Sequence, residues 1–178
     1  MGKEIFDSNG GEPLELLIAT YNHGKAKEIQ SGLFDLPITF RFLSDFPRID
    51  VVDETGNTYK ENAAIKSTAY ASQSGLWAVA DDSGLEVDAL EGAPGILSAR
   101  YGGAGNSDAW RIQFLLETLR ARGVERRDAR FVCAVAIANG SGELVSTMSA
   151  SCQGRIVDVP AGSGGFLASL IKNGRPLA

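Results

Sequence analysis

Two apolar runs that each pass into polar residues limit the folds open to this sequence. Residues 14–20, LELLIAT, lead into the turn YNHGK at 21–25 and then into 26–33, where apolar residues recur with helical spacing. Residues 76–80, LWAVA, form a second apolar run, and it stops at the adjacent carboxylates of residues 81 and 82. Buried strands that alternate with helices predict an α/β architecture.

The other segments fit the same architecture. Thr58 and Glu61 form a capping box before an alanine-rich helix that ends at Gly75. Residues 106–108 begin a further helix. Its predicted apolar stripe comprises Trp110, Phe114, Leu115 and Leu119. Two β-prone segments, 129–138 and 143–152, flank the turn NGSG and predict a hairpin. Further short strands are predicted at 85–90 and 154–159, so we expect a three-layer α/β or mixed-sheet fold.

Composition narrows the class of protein. The chain has 178 residues, of which 44% are hydrophobic, so a core can form without a disulfide or metal. Residues 1–13 are polar and are predicted to be a flexible leader, and no apolar run approaches a membrane span. Two widely spaced cysteines predict reduced thiols and a cytoplasmic location. The net charge of −5 offers no general attraction to nucleic acid, although local donors and a divalent cation can still hold a small anion.

The turn at residues 21–25 is a candidate phosphate site. A strand that leads into Gly24 and Lys25 before a helix places backbone N–H groups, the helix dipole and a cation at one point. Thr20 and Ala26 replace the glycine and the Ser or Thr of a P-loop, so a Walker motif is rejected. The alternative is an ordinary turn with a solvated Lys25.

The carboxylates after the second apolar run are a candidate metal site. Successive residues of an extended chain point in opposite directions, so one of Asp81 and Asp82 should face a ligand while the other caps a neighbour or meets solvent. Asp82, together with Glu54 from an acidic loop, would suit Mg²⁺, which takes one or two carboxylates and completes its shell with water and phosphates. The alternative is an Asx turn over residues 82–84.

The helix after the capping box carries a second candidate cation. Asn62 and Lys66 are four residues apart and share a face, so Lys66 could also reach phosphate oxygens; the alternative is a solvated lysine. His23 is the only histidine, which excludes a histidine-based triad or zinc cluster, and we expect it to be an exposed loop residue. Trp77 and Trp110 are interpreted as core residues.

Four stretches taken together resemble the inosine/xanthosine triphosphate pyrophosphatases. They are IATYNHGKAKEI (18–29), DETGNTYKENAAIKSTAYA (53–71), VADDSGLEVDALEGAPGILSARYGG (79–103) and PAGSGGF (160–166). The stretches occur in the family's order and cover most of residues 14–166, the predicted pyrophosphatase domain.

The resemblance implies a role for each candidate residue. The residues it assigns to the triphosphate are Thr20, Asn22, Gly24, Lys25 and Lys66. It implies that Glu54 and Asp82 hold Mg²⁺ and that Asp82 orients or deprotonates the attacking water. Ser83 and Gly84 would shape the nucleotide site through the backbone, and Phe166 would stack on the purine.

The resemblance also implies an activity and a fold. Such enzymes hydrolyse dITP, ITP and XTP between the α and β phosphates, which gives a monophosphate and pyrophosphate and cleanses the nucleotide pool. The implied fold is an elongated mixed β-sheet flanked by helices, with a cleft between two lobes, and the implied assembly is a homodimer. We therefore expect a small-molecule nucleotide as the partner, with no nucleic acid and no membrane. Two alternatives are a catalytically impaired nucleotide-binding remnant and a related enzyme that acts on modified pyrimidine nucleotides.

The sequence departs from the family after Phe166. The family continues with a Gly-Tyr-Asp-Pro segment and later a Ser-His-Arg segment, whereas residues 167–178 form a divergent tail without Asp or His. The residues that would read the 6-keto edge of the purine are thus missing, and the domain is predicted to be incomplete at this end.

This departure predicts weak base selectivity. Because the residues that would recognise the 6-keto edge of the purine are missing, we expect similar rates of pyrophosphate release from dITP and dATP. Initial rates with the two nucleotides at equal subsaturating concentration would check this expectation, and a sharp preference for dITP would contradict it.

Overall fold

The computed structural model describes residues 13–158 and 171–172. The predicted leader, most of the tail and Phe166 lie outside the described residues, so the predicted domain limits stay a prediction. The helices and strands, in chain order, are β1 (Leu14–Ile18), α1 (His23–Gly32), β2 (Ile38–Phe42), α2 (Tyr59–Ser74), β3 (Trp77–Val87), α3 (Asp108–Ala121), β4 (Asp128–Ala138), β5 (Leu144–Ile156) and β6 (Ile171–Lys172).

The strands form one mixed sheet in the order β2-β1-β3-β4-β5-β6. β1 is parallel to β2 and to β3, with Leu16 opposite Trp77 and Ile18 opposite Val79, while β5 and β6 are antiparallel. Helices α1 and α2 connect the parallel strands, which is the usual way to join them. The predicted α/β class with a mixed sheet is confirmed. No helix among the described residues is long and apolar enough to cross a membrane.

The described chain divides into two compact units. Unit 1 holds residues 13–56, 60–81 and 135–148, and unit 2 holds residues 57–59, 82–134, 149–158 and 171–172. The division falls between Asp81 and Asp82 within β3, so the two candidate carboxylates belong to different units.

Unit 1 is organised around β1, which is buried on both faces. Leu17 packs with Ala78, Tyr70 and Ala71 on one side. Leu16 and Ile18 pack with Ala26 of α1 on the other. A central parallel strand that is covered on both faces needs apolar residues at successive positions, which explains the run Leu16, Leu17 and Ile18 in β1.

Unit 2 has a core of its own between α3 and the second half of β3. Leu85 and Val87 pack against Leu115 and Leu119 of α3, and all four side chains are fully buried. Ser107 caps α3 by accepting a hydrogen bond from the Trp110 amide, as the predicted helix start requires. Trp110 itself is 41% exposed and stacks on Phe114, so its assignment to the core is wrong.

The largest correction to the predicted elements concerns residues 82–84. The alternative of an Asx turn over these residues, between strands predicted at 76–80 and 85–90, is wrong, because β3 runs through them without interruption. The Ser98 hydroxyl accepts a hydrogen bond from the Leu85 amide (2.9 Å) and donates one to the Gly95 carbonyl (2.6 Å), so a neighbouring loop holds this part of β3. A side-chain hydroxyl that satisfies a strand amide is not visible in the hydrophobic pattern on which the prediction rested.

Two boundaries also differ from the predictions. α1 begins at His23, three residues earlier than expected, because Asn22 caps it. β5 continues to Ile156, so the separate strand predicted at 154–159 is wrong.

Gly84 is predicted to be intolerant of a side chain. A Cβ at this position would lie 2.3 Å from the Gly95 carbonyl oxygen, which is a backbone atom and cannot swing away. We expect Gly84→Ala to lower the free energy of unfolding by about 2 kcal/mol or more, measured by urea denaturation.

Gly32→Ala is the matched control, because a Cβ at Gly32 in α1 would meet no atom within 4 Å. That variant should unfold at or above the wild-type urea midpoint, since alanine favours helix over glycine. Equal midpoints for the two variants would contradict the predicted packing.

Candidate functional site

The turn between β1 and α1 brings four of the predicted site residues together. The Thr20 hydroxyl accepts a hydrogen bond from the Asn22 amide (3.2 Å). The Asn22 side-chain oxygen in turn accepts from the amides of Gly24 (2.9 Å) and Lys25 (3.2 Å). Asn22 is therefore the N-cap of α1, and two of the four unpaired amides of the helix start are satisfied by it.

This cap changes the expected way of binding an anion. Backbone N–H groups were expected to meet the ligand, but the Gly24 and Lys25 amides already donate to Asn22. The side-chain groups of this turn that can donate to a phosphate are the Asn22 side-chain NH₂, the Thr20 hydroxyl and the Lys25 ammonium. The dipole of α1 adds a favourable field for negative charge at the same end.

Lys25 forms an ion pair with Asp81. Its ammonium nitrogen lies 2.7 Å from Asp81 Oδ2, and the two side chains are 29% and 6% exposed. The second carboxylate oxygen, Oδ1, is buried and has no hydrogen-bond partner among the described residues. Lys25 is thus held by a buried carboxylate, and the alternative of a solvated Lys25 is wrong.

Parallel pairing of β1 and β3 explains how these two residues meet. The Ala19 amide donates to the Val79 carbonyl (2.8 Å), which places the carboxyl end of β1 beside the middle of β3. The turn that follows β1 and the Asp81 position of β3 therefore lie next to each other. Sequence reasoning left Asp81 without a specific role; the signal that could have found it is the parallel register of these two strands.

Lys66 also forms an ion pair within unit 1. Its nitrogen lies 2.5 Å from Glu54 Oε1, with side-chain exposures of 14% and 32%. The expectation that Asn62 and Lys66 share a face of α2 agrees with this contact, because Asn62 accepts a hydrogen bond from the Gly56 amide (2.8 Å) on the same loop as Glu54. The alternative of a solvated Lys66 is also wrong.

Tyr70 connects the surroundings of the two ion pairs. Its hydroxyl accepts a hydrogen bond from the Val52 amide at 3.2 Å. Burial raises the pKa of Tyr70, the Val52 amide lowers it, and the Tyr21 side chain and the Glu54 charge raise it further. Tyr21, in the phosphate turn, and Glu54, in the acidic loop, therefore both lie close enough to Tyr70 to influence its ionisation.

Unit 2 holds Asp82, Ser83 and Gly84 on β3. Asp82 is 6% exposed, and its Oδ1 accepts a hydrogen bond from the Ser83 amide at 2.9 Å. Of the two options expected for the second aspartate, meeting solvent is wrong, since both Asp81 and Asp82 are buried. Burial, followed by the negative charges of Glu86 and Asp82, raises the pKa of the nearby Tyr59 hydroxyl.

The donor chemistry of the predicted metal ligands suits a hard cation. Within the described residues no group of three or more His, Cys, Asp or Glu side chains could hold a metal. Mg²⁺ needs only one or two protein carboxylates when phosphates complete its shell. Glu54 already has a cationic group, the Lys66 ammonium, against its carboxylate. His23 is exposed at the start of α1, as expected.

These features define an α/β protein with a capped, lysine-bearing turn at the carboxyl end of a parallel strand pair. Residues 16–167 match the Ham1 family, and the chain belongs to this family. The matched range includes every predicted site residue.

Several proteins that are similar to this chain are named after an enzymatic activity. A dITP/XTP pyrophosphatase from an Exiguobacterium strain is 46% identical over 153 residues, which are 86% of this chain and 76% of that protein. A dITP/XTP pyrophosphatase from Geobacter sulfurreducens is 45% identical over 151 residues, which are 85% and 75% of the two chains. The structure of a HAM1 protein from Coxiella burnetii superposes with a TM-score of 0.80 at 38% identity, covering 89% of this chain and 81% of that one.

The Lys25–Asp81 pair is predicted to be strongly coupled. Lys25→Met leaves a buried carboxylate without its cation, so we expect it to destabilise the fold by about 3 kcal/mol. Adding Asp81→Asn to Lys25→Met should recover part of that loss, because the unpaired charge is then removed.

A double-mutant cycle by urea unfolding measures the coupling energy of this pair. We expect a value above about 1 kcal/mol. Strictly additive effects of the two substitutions would contradict an ion pair that stabilises the fold.

Proposed function

We propose that this protein hydrolyses dITP, ITP and XTP to the monophosphate and pyrophosphate, and so removes non-standard purine nucleotides from the nucleotide pool. The observation that carries the proposal is its similarity, over 86% of the chain, to an enzyme named dITP/XTP pyrophosphatase. Membership of the Ham1 family over residues 16–167 supports the enzyme over a catalytically impaired remnant.

The triphosphate would be bound by side chains of unit 1. Thr20 and Asn22 would donate hydrogen bonds to phosphate oxygens from the turn that Gly24 helps to close. Lys25 has three ammonium protons, so it can keep its contact with Asp81 and still donate to a phosphate. Lys66 would add the second positive charge. Phosphoryl transfer depends chiefly on such positioning and charge neutralisation.

Asp82 is the proposed catalytic residue. Its carboxylate would orient the attacking water and take up one of its protons as the water oxygen bonds to the α-phosphorus. The bond between the α-phosphorus and the bridging oxygen breaks, and pyrophosphate leaves. Ser83 and Gly84 would shape the nucleotide site through the backbone of β3, and Phe166 would stack on the purine.

Magnesium is the proposed cofactor, with Glu54 and Asp82 as its protein ligands. When bound, the ion would supply Lewis-acid polarisation and neutralise phosphate charge. We also propose a cytoplasmic homodimer. Support for association is that Leu144 and Met148, which are four residues apart and therefore on the same face of β5, are 43% and 64% exposed. Exposed apolar side chains that share a face are typical of interaction surfaces.

The proposal predicts magnesium-dependent release of pyrophosphate from ITP, with a strong dependence on Asp82. We expect Asp82→Asn to lower kcat by about 100-fold or more, which is the scale of lost general-base catalysis. An enzyme-coupled pyrophosphate assay with purified wild type and variant provides the measurement.

Asp88→Asn is the matched control, because Asp88 is an exposed carboxylate in the turn that follows the same strand. It should leave the rate unchanged. Equal rates for wild type and Asp82→Asn would favour the impaired remnant, and a higher rate with modified pyrimidine triphosphates than with ITP would favour the related pyrimidine enzyme.

A further inference from the structure

The acidic loop at residues 50–56 is attached to α2 at four successive points. The Asp50 amide donates to Gln73 (2.6 Å), and the Val52 amide donates to the Tyr70 hydroxyl (3.2 Å). Glu54 pairs with Lys66 (2.5 Å), and the Gly56 amide donates to Asn62 (2.8 Å). We call this arrangement the loop ladder and each of its contacts a rung.

The spacing of the loop ladder is regular on both sides. Every second loop residue is used, while the helix contributes residues three or four positions apart, which lie on one face. The helical side spans about 16 Å at 1.5 Å per residue, and six extended residues span about 20 Å. The loop must therefore run nearly extended and antiparallel to α2 to make all four contacts.

The four rungs differ in chemistry. Three of them are hydrogen bonds donated by backbone amides of the loop. A cation that binds Glu54, or a phosphate that binds Lys66, would leave these three hydrogen bonds intact. The fourth, between Glu54 and Lys66, is the ionic rung, and it joins two residues to which a metal and a phosphate would bind. Loss of the ionic rung would leave Glu54 flanked on each side by an intact rung.

The Tyr70 rung is buried and adjoins the ionic rung. Tyr70 is 2% exposed, and its hydroxyl oxygen accepts from the Val52 amide. The contact therefore fixes the backbone of the loop two residues before Glu54, next to the Glu54–Lys66 pair.

We propose that Tyr70, Gln73 and Asn62 are positioning residues, which hold Glu54 in place for a divalent cation while Lys66 transfers from Glu54 to a phosphate. This inference rests on the proposed function, because it assigns Glu54 to the metal and Lys66 to the triphosphate. The ionic rung keeps the Glu54 carboxylate paired before the ligands bind. The other three rungs hold the loop against α2 afterwards, so that Glu54 keeps its position.

The test removes the central rung with Tyr70→Phe, which keeps the buried ring. Thr68→Val is the matched control, because the Thr68 hydroxyl on the same helix bonds only to carbonyls of α2. Isothermal titration of the nucleotide-free protein with Mg²⁺ gives the dissociation constant, and hydrogen exchange monitored by NMR reports on the Val52 amide.

We expect Tyr70→Phe to weaken Mg²⁺ binding about fivefold, which corresponds to the loss of one ordinary hydrogen bond. The Val52 amide should exchange faster, and the Mg²⁺ concentration for half-maximal activity should rise while the KM for nucleotide at saturating Mg²⁺ stays constant. Thr68→Val should change none of these quantities. If Tyr70 has a purely structural role, Tyr70→Phe should lower thermal stability without raising the Mg²⁺ concentration for half-maximal activity relative to the KM for nucleotide.

Two other outcomes would overturn the inference in different ways. If Tyr70→Phe accelerates exchange of the Val52 amide but binds Mg²⁺ as tightly as the wild type, the rung exists and does not position Glu54. If the wild type binds no Mg²⁺ and releases no pyrophosphate, the proposed function fails and the inference fails with it.

Discussion

The ion pair between Lys25 and Asp81 is the interaction on which the site in unit 1 depends. A carboxylate with 6% exposure is costly to bury, and the ammonium 2.7 Å away offsets much of that cost. The pair fixes Lys25 relative to the middle of β3, and the cap at Asn22 fixes the same turn relative to α1. Parallel register between β1 and β3 is what brings the two charges together, so the sheet itself sets the geometry of the turn.

The pairing of a lysine with a carboxylate lowers the conformational entropy that the lysine loses when it binds a ligand. A free lysine must lose much side-chain freedom when it contacts a ligand, whereas Lys25 is already ordered by Asp81 and can keep that contact when it donates to a phosphate. The site then resembles a set of preorganised charges, which is the condition under which electrostatic stabilisation of a reacting phosphate is most effective. The same pairing keeps unit 1 from accumulating unpaired positive charge before a ligand binds.

The sequence predicted the elements well where the signal is local. The strand at LELLI, the helix that ends before Gly75 and the cap at Ser107 all follow from apolar spacing and capping chemistry. Predictions failed where a distant group replaces a local one. Residues 82–84 have the composition of a turn. The strand nevertheless continues, because Ser98, thirteen positions after Leu85, accepts a hydrogen bond from the Leu85 amide.

For the candidate site, too, the residues grouped by a local motif were predicted and those grouped by distant contacts were not. Thr20, Asn22, Gly24 and Lys25 are neighbours in the chain, so their motif was sufficient to group them. Asp81 and the loop ladder were missed, because a register between two strands and hydrogen bonds to backbone amides leave no residue pattern to read.

Coupling between cation and nucleotide follows from the ionic rung under the proposed function. A cation that binds Glu54 displaces Lys66, and the released ammonium becomes an additional partner for phosphate. Conversely, a phosphate that draws Lys66 away leaves Glu54 unpaired and more attractive to a cation. Each ligand therefore favours the other, and by linkage the two effects must be equal in free energy. Under the proposed function, the Glu54–Lys66 ion pair of the ligand-free protein would thus couple the binding of metal to the binding of triphosphate.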